Sequence, residues 1–527
     1  MRARIDDGAA AARLSLLASA VVVALWMVLQ PRTADLAAQV YRTGLFERAG
    51  WVLWDNNWFG GHHLPGYSLF TPWLMARLGI GVTGAAAAAT TTLAFAAIVR
   101  AEGRGRWLWP TAWVAWAAAG DLLIGRVTYS VGLALAVLTV LALAIERRVL
   151  VACALGGLSA AASPVAGLFL AMAVTVWWTV EHRREMLAVA ACSGTVIVAS
   201  AVLFGDGGAQ PYPIGAATVA VAIAIALRLG IPRDARLARR ALMAYAVAAA
   251  ASWVVPTPMG SNIARLGVAF AVPVALVARR RSPGVYLCAV GMAASAWLIF
   301  APATEIAKSL DAPETHARYY GPLLAQLQRR AATPGRVEIV PSATRWESVY
   351  VGARFPLARG WETQIDRARN SLFYGGRLSA ARYVRWLRFN AVTYVALSRA
   401  PKERWGRDEE KLVRRGVPGL RLAWASADWR LYSVRAPRPL ASGARVTHLG
   451  VDRIVLYAAS PATAVLRVRW SRYWHGDASV CIARRSDGFM DVTMLRAGRV
   501  ALKASPTSPW HGCSAADGRA VARAGGG

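Results

Sequence analysis

Four short stretches of this sequence place ionisable or amide side chains at the ends of long apolar runs. The first runs from Pro31 to Pro72 and carries Asp35, Arg42, Glu47, Asp55, His62, His63 and Tyr67. The second is Asp121-Leu-Leu-Ile-Gly-Arg126 and the third is Gly205-Asp-Gly-Gly-Ala-Gln-Pro-Tyr212. The fourth is Pro258-Met-Gly-Ser-Asn262-Ile-Ala-Arg265. Ionisable groups near membrane depth are rare and usually face a cavity. If the loops converge, they form a cavity with carboxylates at one place and guanidiniums at another. Commoner chemistries find no support. The sequence has no CxxC, HExxH, Walker A or GxSxG pattern, which argues against zinc, nucleotide and serine-hydrolase sites.

Each residue has a structural reading beside a chemical one. Asp35 follows Thr33-Ala34 at the start of a helical pattern and could simply cap that helix. His62 and His63 could hydrogen-bond their own loop. Arg126 and Arg265 could snorkel to lipid headgroups, and Asn262 could cap the next span. Residues 35–48 have helical apolar spacing, which suits a helix lying along a membrane interface. The aromatic residues within Trp51–Phe59 fit an aromatic belt there.

The elements that must position these residues are apolar helices. Of the 527 residues 56% are hydrophobic and 17% charged, with a mean hydropathy of +0.36. Soluble domains are usually about 45–50% apolar and about 25% charged. Crossing a bilayer takes roughly 17–25 apolar residues. Candidate spans are 14–30, 81–99, 107–120, 129–145, 149–162, 164–180, 186–204, 213–230, 241–255, 263–278 and 283–303. The first has a basic start but is longer than a signal-peptide core and lacks a clean cleavage site, so it reads as a retained helix. Basic clusters such as Arg147/Arg148, Arg183/Arg184 and Arg279/Arg280/Arg281 fall between alternate spans. The positive-inside rule puts them in the cytoplasm. A break at Ser163-Pro164 keeps every later cluster on that side. The expectation is about eleven spans, with the N-terminus cytoplasmic and the C-terminus outside the plasma membrane.

From residue 304 the composition changes and no spanning run occurs. Val337–Val340, Ser348–Gly352 and Val392–Leu397 read as strands, and Ala380–Phe389 and Lys402–Arg415 as helices. Seven later short runs, from Arg421–Ala425 to Val500–Lys503, suggest a β-sandwich. The expected fold is a polytopic α-helical membrane protein with an extracytoplasmic α/β plus β-sandwich region. Its expected domains are 1–303 in the membrane, 304–440 α/β and 441–505 sandwich-like, with a flexible tail at 506–527. Cys153, Cys192 and Cys288 fall inside spans, while Cys481 and Cys513 lie in the external region, where two thiols can pair.

Charge is divided between these regions. The chain holds 61 Lys+Arg against 29 Asp+Glu, a formal +32. Residues 304–527 contain 37 basic and 17 acidic residues. Most cations are scattered arginines, consistent with codon bias and a weak attraction for anionic ligands. Nucleic acid is not an expected partner, because the basic region faces away from the cytoplasm.

The layout resembles the GT-C superfamily of membrane glycosyltransferases, and more narrowly the bacterial membrane proteins related to the YfhO family. The matching stretches are WDNNWFGGHHLPGYSLFTP, the Gly-Arg of Asp121–Arg126, SPVAGLFL at 163–170, NIARL at 262–266 and WLRFNAVTYVALS at 386–398. The resemblance spans nearly the whole chain, but its motifs are not reaction-specific. It implies transfer of a sugar from a polyprenyl-phosphate donor to an extracytoplasmic glycan or lipid acceptor at the surface of the cell membrane. Asp35 matches the first-loop acid and would be the catalytic base. Arg126 and Arg265 would hold the departing phosphate, which a guanidinium fits in two bonds. Asp55, His62 and His63 would orient the acceptor or bind a cation, with Asn262 and Tyr67 also at the substrate. Only one acid ends the first helix, not the pair found in several such enzymes, so no metal or other cofactor is assigned. Two rivals stand: a transporter or lipid flippase, which also uses broken helices, and a non-enzymatic envelope protein.

Overall fold

A computed structural model describes residues 28–101, 107–279, 284–330 and 334–506, together with positions 17, 20, 21, 24 and 26. The chain divides into two compact units. One comprises Met1–Gly44 and Pro65–Leu310, the other Leu45–Leu64 and Asp311–Gly527.

The first unit is helical. The described positions between 17 and 29 are helical, within the first predicted span. Then follow α1 (Ala34–Ala49), α2 (Thr71–Leu78), α3 (Ile80–Ala101), α4 (Leu108–Ile124), α5 (Val127–Leu141) and α6 (Val149–Ala162). The series continues with α7 (Pro164–Glu181), α8 (Arg184–Phe204), α9 (Ile214–Gly230), α10 (Arg236–Val254), α11 (Ala264–Ala278) and α12 (Val285–Ser309). A helix therefore lies at every later predicted span. Among the described residues six helical stretches are long and apolar enough to cross a membrane, which does not confirm the count of eleven: Ile80–Ala101, Val127–Ile145, Pro164–Glu181, Arg184–Phe204, Gly260–Ala278 and Val285–Ser309. These make the chain a membrane protein. Of the other predicted spans, α6 is only 14 residues long, α4 and α9 are 17, α10 opens on Arg236, Arg239 and Arg240, and most of the first lies outside the described residues.

The break between α6 and α7 falls at Ser163, whose hydroxyl accepts from the Ala166 amide, with Pro164 at the first helical position. Serines tie neighbouring helices together: Ser159 Oγ donates to the Gly132 carbonyl at 2.8 Å and Ser193 Oγ to that of Gly156 at 2.9 Å. Such bonds stand in for the hydrophobic drive that is weak between helices in lipid.

The second unit has two layered parts. In the first, β3 (Arg336–Ile339), β4 (Val392–Ser398), β5 (Leu420–Ala425) and β6 (Trp429–Val434) form a sheet of order β3-β4-β6-β5. β3 and β4 are parallel and the other pairs antiparallel. A parallel pair needs a crossover, and the long β3–β4 connection includes α15 (Thr363–Arg369) and α16 (Ala380–Phe389). Around the sheet stand α13 (Ala317–Arg329), α14 (Glu347–Tyr350) and α17 (Arg407–Arg415). The predicted strand at Ser348–Gly352 is instead helical. The Glu347 carboxylate accepts from the Ser342 amide and hydroxyl at the start of that turn, and Tyr350 packs on Trp346 and Tyr320. These contacts override the strand preference of Val349, Tyr350 and Val351.

In the second part, β7 (Ala441–Ser442), β8 (Arg445–Leu449), β9 (Arg453–Ala458), β10 (Ala462–Leu466), β11 (Trp474–His475), β12 (Val480–Arg484), β13 (Met490–Met494) and β14 (Gly498–Ala504) form two four-stranded sheets. Their orders are β12-β13-β10-β7 and β11-β14-β9-β8. Ile454, Leu456 and Leu502 from one sheet share a core with Leu466, Ile482 and Val492 from the other, which makes a sandwich. Cys481 is buried on β12 and disulfide-bonded. Cys513 and the predicted flexible tail beyond residue 506 lie outside the described residues.

The tryptophan-rich segment belongs to this unit and is not an aromatic belt. Its Trp54–Asp55 pairs antiparallel with His62–His63 in a small hairpin. Trp54 is fully buried in the sandwich core, 5.9 Å from Trp474, and Trp58 is fully buried too. Asn56 bonds the backbone of Gly450 and Val451, and Asn57 accepts from the Leu357 amide.

Candidate functional site

The site is built on the start of α1 and the turn between α4 and α5. Thr33 Oγ1 accepts from the Leu36 amide at 3.4 Å and donates to the Ile124 carbonyl. Thr33, not Asp35, therefore caps the Leu36 amide, and the Asp35 carboxylate turns to Arg126 instead. α4 ends at Gly125, which has φ +86°. A Cβ on Gly125 would stand 2.6–2.7 Å from Leu36 backbone and Cβ atoms. Only glycine allows both that conformation and that approach. The result sets Arg126 against the first turn of α1.

Arg126 bridges two carboxylates. Its Nε donates to Asp35 Oδ2 at 2.8 Å and its Nη1 to Asp121 Oδ1 at 3.3 Å. The Asp35 and Arg126 side chains keep about a quarter of their surface accessible. Asp35 Oδ1 takes no hydrogen bond among the described residues. Both carboxylates and the guanidinium line a cavity of about 240 Å³. Arg265, at the start of α11, lines it as well, with its Cζ 5.1 Å from the centre of the Tyr129 ring. Among the described residues Arg265 has no ion pair. The cavity therefore holds two carboxylates and two guanidiniums, of which Arg126 bonds both acids and Arg265 makes no ion pair among the described residues.

Four separate loops meet here, since Gln210, Ser261 and Asn262 complete the polar wall and Trp297 adds an aromatic one. The Gln210 loop and the turn before α11 are joined by the Gln210 amide donating to the Thr257 carbonyl at 3.0 Å. Asn262 turns its amide back to the Pro258 carbonyl at 3.3 Å.

Tyr67 acts one layer behind. Gln39 donates to its hydroxyl at 3.1 Å and accepts from Thr128 Oγ1 at 2.6 Å, and Thr128 bonds Thr71. The Arg42 guanidinium stacks on the Tyr67 ring at 3.7 Å. This buried network ties α1 to the start of α5, the two elements that carry Asp35 and Arg126. α1 is thus packed inside the protein on its polar side as well, with Gln39 and Arg42 buried, and does not lie half-exposed along an interface.

Asp55, His62 and His63 are not in this cavity. They lie in the small hairpin of the other unit. Asp55 Oδ1 accepts from the Asn57 amide, His62 stacks on Trp58 and lies 3.9 Å from Glu362, and His63 bonds Ser471 Oγ at 2.8 Å. Among the described residues no three His, Cys, Asp or Glu side chains form a metal-ligating group. Sequence reasoning did not assign Asp121, Gln210, Ser261 or Trp297 to the site. The polar loop at 205–212 was the available signal for Gln210.

An apolar groove of about 210 Å³ adjoins these elements. Its lining includes Leu133, one turn beyond Tyr129 on α5, and Leu266 on α11, and shares no residue with that of the polar cavity. Phe169 of α7 and Leu242 of α10 close it.

Among solved structures, the chain is similar to the cryo-EM structure of the arabinofuranosyltransferase AftD from mycobacteria, with 17% identity and a TM-score of 0.49. The match covers 86% of this chain and 41% of that one, so the chain spans less than half the length of that enzyme. No family model and no curated protein matches.

Proposed function

We propose that this protein is an integral membrane glycosyltransferase, moving a sugar from a polyprenyl-phosphate donor to an extracytoplasmic glycan or lipid. The observation that supports the reading is the composition of one cavity, where among the described residues an Asp35 carboxylate oxygen takes no hydrogen bond and the Arg265 guanidinium makes no ion pair, together with a separate apolar groove in the same unit. A lipid-linked sugar phosphate has the matching parts. Its phosphate meets Arg265, its sugar occupies the polar cavity and its prenyl chain follows the groove.

In the reaction, the acceptor hydroxyl attacks the anomeric carbon of the donor sugar. Asp35 takes the hydroxyl proton as the new glycosidic bond forms. The bond from the anomeric carbon to phosphate oxygen breaks, and polyprenyl phosphate leaves with that electron pair. Arg265 stabilises the charge that grows on the leaving phosphate. Arg126 is a positioning residue in this scheme. It holds Asp35 and Asp121 apart and neutralises one charge of the pair, so two carboxylates can stand in one cavity.

The test is transfer from a polyprenyl-phosphate sugar in membranes containing the full chain. Asp35→Asn keeps the shape of the side chain and removes the base, so transfer falls by about 10²–10⁴-fold. Arg265→Gln raises KM for the lipid donor and lowers kcat. Full transfer by a stably inserted Asp35→Asn protein would rule out the mechanism.

A further inference from the structure

The second unit carries another site, independent of the reaction above. α16 and the chain that follows β6 enclose an open groove of about 960 Å³. Four arginines stand along it: Arg385 and Arg388 on α16, Arg435 and Arg438 after β6. No carboxylate lines it. Among the described residues none of the four has an ion pair. Elsewhere in this unit arginines do find acids, as in Arg345–Glu403, Arg359–Glu338, Arg414–Glu410 and Arg485–Asp491. The groove thus brings four arginines without an ion pair together in one concave place. Arg388 donates to the Arg435 carbonyl through Nε and Nη2 at 3.3 and 3.1 Å, which joins the two walls without neutralising either.

Like charges crowded this way repel each other, and an anion in the groove removes that cost. One small anion satisfies one or two guanidiniums, whereas four spread over two segments call for repeated anionic groups. The floor is apolar, formed by Val384, Phe389 and Pro418. A uronic-acid ring has a carboxylate at its edge and C–H groups on its face, which suits guanidinium walls over an apolar floor. Nucleic acid is a poorer fit. Its bases need open aromatic faces, and Phe389 is half-buried beside Phe489, 4.9 Å between ring centres. A bilayer surface is a poorer fit as well, because the guanidiniums line a concavity.

We propose that this groove binds an anionic polysaccharide, with carboxylates of successive sugar residues against Arg385, Arg388, Arg435 and Arg438. The experiment titrates the full chain in neutral detergent with fluorescent polygalacturonate, with neutral dextran alongside. The double variant Arg385→Gln/Arg438→Gln alters two side chains that make no hydrogen bond among the described residues. It weakens polygalacturonate binding by about tenfold or more, the size expected for lost charged hydrogen bonds. Arg385→Lys/Arg438→Lys recovers part of the loss, and raising salt weakens wild-type binding. Arg421→Gln removes an exposed arginine of β5 outside the groove and leaves binding within about twofold, as distant surface changes do. The single variant Arg438→Gln, on an exposed irregular segment, provides the same test if the double variant does not fold. Equal losses from Arg421→Gln and the groove variants would overturn the proposal. So would dextran binding as tightly as polygalacturonate, no response to the groove variants, or tighter binding of RNA or anionic vesicles through the same arginines.

Discussion

Arg359 shows how one side chain can hold a domain together. It is buried in the second unit with Glu338 at 3.3 Å, Glu409 at 3.5 Å and Asp366 at 3.8 Å, and its guanidinium lies 4.0 Å from the centre of the Phe373 ring. Tyr383 donates to Glu409, and Tyr374 and Asn370 donate to Asp366. Three acids around one cation cannot all ionise cheaply in a dry interior. Burial and the neighbouring Glu409 carboxylate push Glu338 well above the usual carboxylate range, so it keeps its proton where exposed glutamates lose theirs. The native state then binds this proton more tightly than the unfolded chain. The stability it adds is complete below the unfolded value of about 4.3 and is lost as pH rises through the folded value. Glu338→Gln keeps a neutral side chain at every pH. The thermal midpoint of the wild type should therefore fall relative to Glu338→Gln as pH is raised from 4 towards 8. Parallel midpoint curves for the two proteins would dismiss the retained proton. Arg359→Met leaves the acids without their cation and should cost about 3–5 kcal/mol, read from denaturant unfolding of the same unit.

At the level of elements, two close approaches set the geometry. The α4–α5 turn touches α1 at Gly125, and this contact aims Arg126 at Asp35. Gly125→Ala adds a left-handed penalty of about 1–2 kcal/mol and pushes on the Leu36 backbone. It should lower transfer as strongly as a change at Arg126, while the helices still insert and the protein still purifies in detergent. Activity unchanged by this substitution would mean that the turn does not position the site. In the other unit, the hairpin of β1 (Trp54–Asp55) and β2 (His62–His63) places Trp54 in the sandwich core, where a Cβ on Gly61 would come within 2.2 Å of its ring. Trp54→Ala should destabilise that unit by about 3–5 kcal/mol, measurable as a shift of its unfolding midpoint with the helical unit unchanged. The apolar periods of α3 to α12 and the alternation in β4, β6, β9 and β14 were legible in the sequence, because a helix or strand writes its period into neighbouring residues. The Ser348–Gly352 segment misled for the same reason: its β-branched and aromatic residues give a local strand signal that Ser342, Trp346 and Tyr320 outweigh.

For the molecule as a whole, charge is an orienting property. Arg147/Arg148, Arg183/Arg184 and Arg233/Arg236/Arg239/Arg240 flank the helical stretches, and the proposed topology puts them in the cytoplasm. A phosphatase reporter fused after residue 206 or at the C-terminus should be active outside the membrane, and one fused after Arg184 should be silent. The opposite pattern would reverse the topology and separate the proposed cavity from an extracytoplasmic acceptor. The second unit holds most of the net positive charge, but within it many arginines are paired or buried. The four in the α16 groove share one concavity that no carboxylate lines.

The sequence by itself determined that this chain has a helical, membrane-crossing part followed by an α/β and β-sandwich part, and which loops carry polar residues. Those properties are local: hydropathy, period and composition are read within a window of some twenty residues. The tertiary structure decided which polar residues meet. Asp35 and Arg126 are 91 positions apart and become partners only because Gly125 lets two turns touch. It also decided that Asp55, His62 and His63, from the same loop as Asp35, belong to the other unit. No periodicity records that choice, since it follows from the burial of Trp54 in the sandwich core and of Trp58 beside Ser348 and Gly360, several hundred residues further along the chain.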